Sequence, residues 1–191
     1  MDVPCFPVPA GGRARQRGFT LANALVTLAI AALLLTQAIP SLQTFIQRNR
    51  VSTAVNRFSG ALQYARSEAV RRSRRVVLCP SANGRACAHS ERWAQGWIVF
   101  ADLDGDRERT RGEPLLRAAA GFAEGISMRS TRHRRRIRYQ ALGNTHGTNA
   151  SFTFCDGHRR ARPRVICLSG TGRPRVTTRR CDGSPIRCPS T

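Results

Sequence analysis

The sequence has no lysine, and all 32 of its basic residues are arginines. Only 11 residues are acidic, so the formal net charge is +21 at pH 7. Such a shortage of carboxylates indicates an anionic partner or surface. A GC-rich genome also favours arginine over lysine, so the size of the charge is more informative than the choice of basic residue.

Catalytic and nucleotide-binding patterns are also missing. The histidines are scattered through polar segments, at His89, His133, His146 and His158. No nucleophile, base and orienting group occur at a recognised spacing. No glycine loop of the Walker or dinucleotide-binding type is present. We therefore expect no enzymatic activity and no cofactor.

Charge is absent from one long N-terminal stretch. No charged side chain lies between Arg17 and Arg48. As a helix, residues 19–39 would extend roughly 30 Å, which is the thickness of the hydrocarbon core of a bilayer. Three arginines, Arg13, Arg15 and Arg17, directly precede this span. The positive-inside rule therefore predicts a cytoplasmic N-terminus and places the rest of the chain outside the cytoplasm.

The residues before the span resemble a known processing site. Gly18-Phe19-Thr20-Leu21 follows a basic leader and is similar to the prepilin peptidase site of type IV pilins and type II secretion pseudopilins. This resemblance implies cleavage after Gly18, methylation of Phe19, and an inner-membrane anchor with a periplasmic globular domain. Pro40, at the 22nd position after the predicted cut, also agrees with this family. A cleaved secretory signal would instead end its apolar run with small residues at the cut.

The sequence departs from this family at Asn23, where the family usually has glutamate. In the family, that carboxylate is thought to meet the methylated terminal amine of a neighbouring subunit inside the apolar filament core. Asparagine can form hydrogen bonds but cannot neutralise an ammonium group, and an unpaired buried charge is costly. The departure favours a position at the filament tip, or a rarely incorporated subunit.

Seven cysteines are present, and one of them, Cys5, lies in the leader. An even number in an oxidising compartment predicts disulfides, although the sequence alone leaves their pairing open. Local spacing favours three pairs: Cys79 with Cys87, Cys155 with Cys167, and Cys181 with Cys188. The paired short spacings of a structural zinc site are lacking, so we expect no metal at these cysteines.

The remainder has room for one globular domain. Apolar residues recur at spacings of three and four from Leu42 to Ala69, which predicts that the helix continues. The half after about Val51 is amphipathic and is expected to lay its apolar face on a sheet. Strands are predicted at residues 76–79, 93–100, 115–118, 126–130, 136–139, 151–155 and 164–168. The predicted fold is α+β, with a long N-terminal helix packed on an antiparallel sheet domain.

This pattern divides the chain into five parts. They are a prepilin leader (1–18), a transmembrane helix (19–39), an amphipathic continuation (40–74), a globular β-sheet domain (75–176) and a basic C-terminal tail (177–191). Within the domain, VVLCPS, WAQGWIVFADLDGDR and RGEPLLR resemble the FimT/GspH family of minor pilins and pseudopilins. The resemblance implies that the partners are other pilins or pseudopilins.

An acidic segment within the domain invites comparison with calcium loops. Asp102, Asp104 and Asp106, followed by Glu113, alternate as calcium ligands do. However, Arg107 occupies the position where an EF-hand needs glycine, and no helices flank the segment. The pattern favours a solvated hairpin turn, and we predict no metal site.

The end of the domain carries a basic motif. Gly172-Arg173-Pro174-Arg175 resembles the Gly-Arg-x-Arg motif of FimT-type minor pilins, which implies binding of double-stranded DNA during uptake in natural transformation. Pro174 favours an extended chain, in which Arg173 and Arg175 lie on one side. Each guanidinium can then form paired hydrogen bonds with a phosphate.

Further arginines extend this basic surface. Arg179 and Arg180 are expected to bind DNA with the motif, and Arg187 follows them. From residue 129 to the end the chain has fifteen arginines, against Asp156 and Asp182. Attraction for a polyanion therefore does not depend on the motif alone.

Two functions remain open. One is a DNA-binding minor pilin of a type IV pilus, which also contributes to pilus assembly. The other is a GspH-like minor pseudopilin of the type II secretion system. The N-terminus fits both, and the basic tail favours the first.

We predict that prepilin peptidase removes residues 1–18, because the Gly18–Phe19 junction follows the basic leader and opens the apolar span. Mass spectrometry of the purified protein should find Phe19 as the methylated N-terminal residue. A different mature N-terminus, or normal cleavage of a Gly18→Ala protein, would contradict the pilin interpretation.

Overall fold

A computed structural model describes residues 20–188, apart from the side chains of residues 37 and 38. The chain divides into two compact units, Met1–Pro40 and Ser41–Thr191. Gly18 and Phe19 lie outside the described residues, so their cleavage and methylation stay predictions.

Helix α1 spans Leu21–Arg72. At its start in the first unit, the Thr20 hydroxyl accepts a hydrogen bond from the Asn23 N–H at 3.4 Å, as an N-cap residue does. The large apolar side chains of this unit are mostly exposed, and Leu28 is 67% exposed. Among the described residues, α1 is the one helix long and apolar enough to cross a membrane, judged by length and composition. These features suit a membrane anchor.

In the second unit, the buried face of α1 begins at Val51, as predicted for the half of the helix after about that residue. Leu42 and Phe45 are 58% and 60% exposed, whereas burial of the apolar face begins at Val51 and continues to Ala69. The later half of the helix therefore lays its apolar face on the sheets, in agreement with the prediction.

The described residues form eight strands and one short 3₁₀ turn. The strands are β1 (Val76–Pro80), β2 (Gly96–Ala101), β3 (Leu115–Ala120), β4 (Ile126–Ser130), β5 (Ile137–Tyr139), β6 (Ala150–Asp156), β7 (Arg164–Leu168) and β8 (Pro174–Thr177). Sheet A has the order β3-β2-β1-β5, and sheet B has the order β4-β6-β7-β8. The pairings among these eight strands are antiparallel. The predicted α+β class is confirmed.

The core lies where α1 meets both sheets. Phe58 of α1 is fully buried, and its ring lies edge-on against Trp97 of sheet A and Phe152 of sheet B, with centroid distances of 5.2 and 4.7 Å. Alternation along the strands directs such residues inward, and their neighbours then point away from the core. This alternation also determines which residues lie on the outer face of sheet B.

The predicted strand over residues 93–100 is wrong in its first half. Trp93–Gln95 forms a 3₁₀ turn, and β2 begins at Gly96, which has a φ of 133°. A Cβ at Gly96 would lie 2.7 Å from the carbonyl oxygen of Ala119, so this close approach requires glycine. The pairing of β2 with β3 is irregular between Val99 and Phe100. Strand β8 was not predicted, because it is short and begins with proline.

All six cysteines outside the leader form disulfides, but two of the three predicted pairings are wrong. Cys79–Cys87 is as predicted. Cys155 instead pairs with Cys188, and Cys167 pairs with Cys181.

The register of sheet B explains why Cys155 cannot pair with Cys167. Cys167 lies opposite Ser151, which is four residues from Cys155 along β6. At about 3.4 Å per residue, that offset is roughly 14 Å, whereas a disulfide requires Cα atoms within about 7 Å. The two strand cysteines therefore take partners from the C-terminal segment.

We predict that non-reducing peptide mapping of the full-length protein will recover peptides linked through Cys155–Cys188 and through Cys167–Cys181. A Cys155→Ser/Cys188→Ser variant should lose about 3 kcal/mol of unfolding free energy in the chain-entropy model, because a long loop is no longer closed. Recovery of a Cys155–Cys167 peptide from the native protein would contradict the strand register.

Candidate functional site

The outer face of sheet B, turned away from the core, is polar and basic. Neighbouring inner residues such as Phe152 and Ile166 are fully buried in the core. By alternation and register, the outer face carries Ser127 and Arg129 of β4, Ser151, Thr153 and Cys155 of β6, Val165 and Cys167 of β7, and Arg175 and Thr177 of β8. Hydroxyl and guanidinium groups therefore share one surface.

Residues 178–188, which we call the C-terminal segment, are tied to this outer face. Its two disulfides reach Cys155 on β6 and Cys167 on β7. Val165 points away from the core and yet is fully buried, as expected for a residue covered by a segment that is linked on either side of it. The tail predicted from sequence as a separate basic extension is thus fastened to the sheet.

A turn inside the C-terminal segment is closed by its own hydrogen bonds. The Arg180 N–H donates to the Ser184 carbonyl at 2.9 Å, and the Gly183 N–H donates to the Arg180 carbonyl at 2.9 Å. Hydrogen bonds from the Ser184 hydroxyl and N–H lower the pKa of Asp182 below its ordinary value. Asp182 is therefore already engaged by its neighbour at neutral pH.

The glycine of the basic motif has a structural role. Gly172 has a φ of 75°, and a Cβ there would overlap the Gly143 carbonyl oxygen and lie 3.0 Å from the Tyr139 ring. Its N–H closes a turn by donating to the Ser169 carbonyl at 2.9 Å. The Thr145 N–H holds the same turn through the Gly170 carbonyl, at 2.9 Å. Glycine is required because the chain approaches residues 139–143 closely before it enters β8.

The motif arginines lie at the edge of sheet B. Arg175 is exposed on β8, opposite Cys167, and β8 is the terminal strand of the sheet. Arg173 is exposed one residue before β8 begins. Beneath the motif turn, burial raises the pKa of the Tyr139 phenol above its ordinary value, so this side chain stays neutral. The local charge is therefore set by the arginines.

A second feature of this face is a cavity of 530 Å³ between strands β4 and β6 and the C-terminal segment. We call it the basic groove. Its charged lining consists of Arg129, Arg132, Arg180 and Arg187, and no aspartate or glutamate is among the described residues that line it. Of the four predicted DNA-binding residues, Arg180 lies here and Arg173 and Arg175 lie at the β8 edge. Arg179 is exposed and does not line the groove.

Sequence reasoning missed Arg129 as a member of this surface. Alternation along the predicted strand 126–130 could have placed it on the outer face, but nothing in the sequence showed that the tail returns to the same face. Conversely, not every arginine of the cluster 132–136 is available to a ligand. The Arg136 guanidinium donates to Glu108 Oε2 at 2.7 Å, and its side chain is 11% exposed.

The acidic segment lies on the connection between β2 and β3. One carboxylate oxygen from each of Asp102, Asp104 and Asp106 lies within 4.8 Å of the others. Each carboxylate accepts a backbone N–H two or three residues ahead, at 2.6 to 3.1 Å. Buried Glu113 accepts the N–H groups of Leu103 and Thr110. These bonds are those of a turn stabilised by side chains, which agrees with the predicted turn. The turn is not fully solvated, because Asp102 and Glu113 are buried.

Comparisons with known proteins agree on the fold. Residues 54–172 match the family described as Type II transport protein GspH. The chain is also similar to the type IV minor pilin FimU of Pseudomonas aeruginosa strain PAO1. One crystal structure of FimU is 23% identical, with 70% of this chain and 92% of that chain covered and a TM-score of 0.55. A second FimU structure, in another space group, is 22% identical, with 66% of this chain and 91% of that chain covered and a TM-score of 0.52.

No curated protein sequence matches the chain. At these identities, the likeness to FimU shows the fold. The family match covers more than half of the chain and ends at Gly172, so Arg173, Arg175 and the C-terminal segment lie beyond it. The resemblance noted in the sequence is confirmed, and the chain belongs to the GspH family of minor pilins and pseudopilins.

Proposed function

We propose that the protein is a FimT-like minor pilin of a type IV pilus that binds double-stranded DNA for uptake in natural transformation. The observation that carries this proposal is the exposed arginine pair, Arg173 and Arg175, at the free edge of sheet B. The turn before the pair is fixed by close packing at Gly172. A preorganised turn reduces the entropy lost when the arginines engage a ligand.

The chemistry of this edge suits a phosphate backbone. Each guanidinium presents paired N–H donors that match two phosphate oxygens, and these contacts carry no sequence information. The net charge of +21 adds long-range attraction for a polyanion. Binding by this surface is expected to be strong at low salt and to show little sequence preference.

The N-terminal unit supplies the anchor in this proposal. Prepilin peptidase processes the chain at the cytoplasmic membrane face, and the exposed apolar part of α1 holds it in the inner membrane. The globular unit then lies in the periplasm, and other pilins or pseudopilins are the assembly partners. Asn23 at the fifth mature position favours the filament tip, where an exposed DNA-binding surface would be useful.

The second candidate is a minor pseudopilin of the type II secretion system. The family description itself favours it, because the matched residues are described as a type II transport protein. Such a subunit would bind DNA only in the weak, diffuse manner of any basic protein. Neighbouring pilus genes would support the first function, and a secretion operon would support the second.

We predict that Arg173→Gln/Arg175→Gln weakens binding of duplex DNA by the full-length protein in detergent. If each arginine neutralises one phosphate, the slope of log affinity against log salt should become shallower by about 1.8, at ~0.9 per phosphate. Gel shifts at several salt concentrations measure this slope, and the melting temperature checks that the fold is kept.

Arg74→Gln/Arg111→Gln is the matched control. Both residues are exposed and precede strands of sheet A. Like the motif variant, this control loses two positive charges. Equal weakening by the motif and control variants would show that binding is diffuse, and the DNA-uptake proposal would then be wrong.

A further inference from the structure

We propose that the basic groove is a second phosphate-binding site, which takes the sugar-phosphate backbone of DNA beside the part held by Arg173 and Arg175. The inference rests on the proposed function, because both places would hold the same ligand. It adds a site formed by residues that no sequence motif marks.

The walls of the groove are basic on both sides. Arg129 and Arg132 stand on the β4 side, and Arg180 and Arg187 stand on the C-terminal segment. A phosphate between them would face guanidinium groups from opposite directions, and no lining carboxylate among the described residues offsets their field. The acidic residue of the segment, Asp182, does not line the groove and is engaged by Ser184.

The floor of the groove supplies neutral donors. The hydroxyl oxygens of Thr131 and Ser151 lie 2.9 Å apart, and Thr153 lines the same cavity. Serine and threonine hydroxyls are common ligands of phosphate oxygens in protein–DNA complexes. No aromatic residue is among the described lining residues, so the groove offers no platform for stacking an unpaired base. Its chemistry therefore fits the backbone of a duplex.

The sheet register places the groove and the motif on one surface. Arg175 lies opposite Cys167, Cys167 lies opposite Ser151, and the Thr131 N–H bonds to the Ser151 carbonyl in the same row. Three strand spacings of about 4.8 Å separate the ends of this row, or roughly 14 Å. This separation is close to the width of the DNA major groove, about 12 Å, so one duplex can present phosphates to both places.

The second wall depends on a disulfide. Arg187 directly precedes Cys188, whose bond to Cys155 holds this end of the C-terminal segment against β6. If the bond is absent, all the arginines remain but Arg187 is no longer held over the floor. Charge and geometry can therefore be tested separately.

The experiment uses full-length protein in detergent and a duplex DNA probe. Three variants each lose two exposed arginines: Arg129→Gln/Arg187→Gln in the groove, Arg173→Gln/Arg175→Gln in the motif, and Arg74→Gln/Arg111→Gln as the control. We expect the groove variant to reduce the salt slope by about 1.8, as the motif variant does, and the control to change it less. In a variant that combines the groove and motif changes, the two reductions of the salt slope should add.

The outcomes separate the two proposals. If the groove variant binds like the control while the motif variant is weakened, the groove site is wrong and the proposed function stands. If the groove variant alone is weakened, the groove is supported and the role of the motif is wrong. If the three variants bind alike, binding is diffuse and both proposals fail. Arg129→Lys/Arg187→Lys, which keeps both charges, should retain most of the slope.

A last arm tests the geometry. Cys155→Ser/Cys188→Ser keeps every arginine, and we expect it to lower affinity for the duplex while Cys79→Ser/Cys87→Ser, which opens the disulfide of sheet A, does not. Both variants are assayed below their melting temperatures. Parental affinity in the first variant would show that the groove is not held by this disulfide and would overturn the proposed wall.

Discussion

The packing of Phe58 between two sheets is the contact on which the rest of the globular unit depends. Its ring meets Trp97 of sheet A and Phe152 of sheet B, and all three side chains are buried. Aromatic pairs of this kind add stabilisation beyond their buried area. Because this contact fixes which residues of each strand face the core, it also fixes which residues face outward.

The surface chemistry follows from that division. Because Phe152 and Phe154 are buried in the core, Ser151, Thr153 and Cys155 must lie on the outer face of sheet B. Cys155 and Cys167 then lie on the outer face, too far apart along the sheet to pair with each other. Each forms a disulfide with one cysteine of the C-terminal segment, and arginines distant in sequence therefore lie on one face.

Much of the fold could be predicted from sequence because it depends on local patterns. The strands at residues 126–130 and 164–168 agree with the structure to the residue. Apolar alternation defines the first, a short apolar run defines the second, and turn residues flank both. The disulfides of the tail could not be predicted, because short sequence separation is a poor guide when the register of a sheet decides the distance. Gly96 shows a similar limit, since the close approach of Ala119 arises only after the sheet has formed.

The candidate site was predictable only in part, for the same reason. The motif could be found because its residues are contiguous, and the structure places Arg173 and Arg175 at an exposed edge. The basic groove joins β4 to residues fifty or more positions later in the chain. The register of sheet B and two disulfides bring these residues together, and neither can be predicted from local sequence patterns.

The central claim is that duplex DNA contacts the outer face of sheet B and not the whole basic surface. Arginine-specific dicarbonyl footprinting of the full-length protein, read by mass spectrometry, tests this most directly. Duplex DNA should protect Arg129, Arg173, Arg175, Arg180 and Arg187, while Arg74 and Arg111 near sheet A stay reactive. Uniform protection of all exposed arginines, or protection centred on sheet A, would contradict the account.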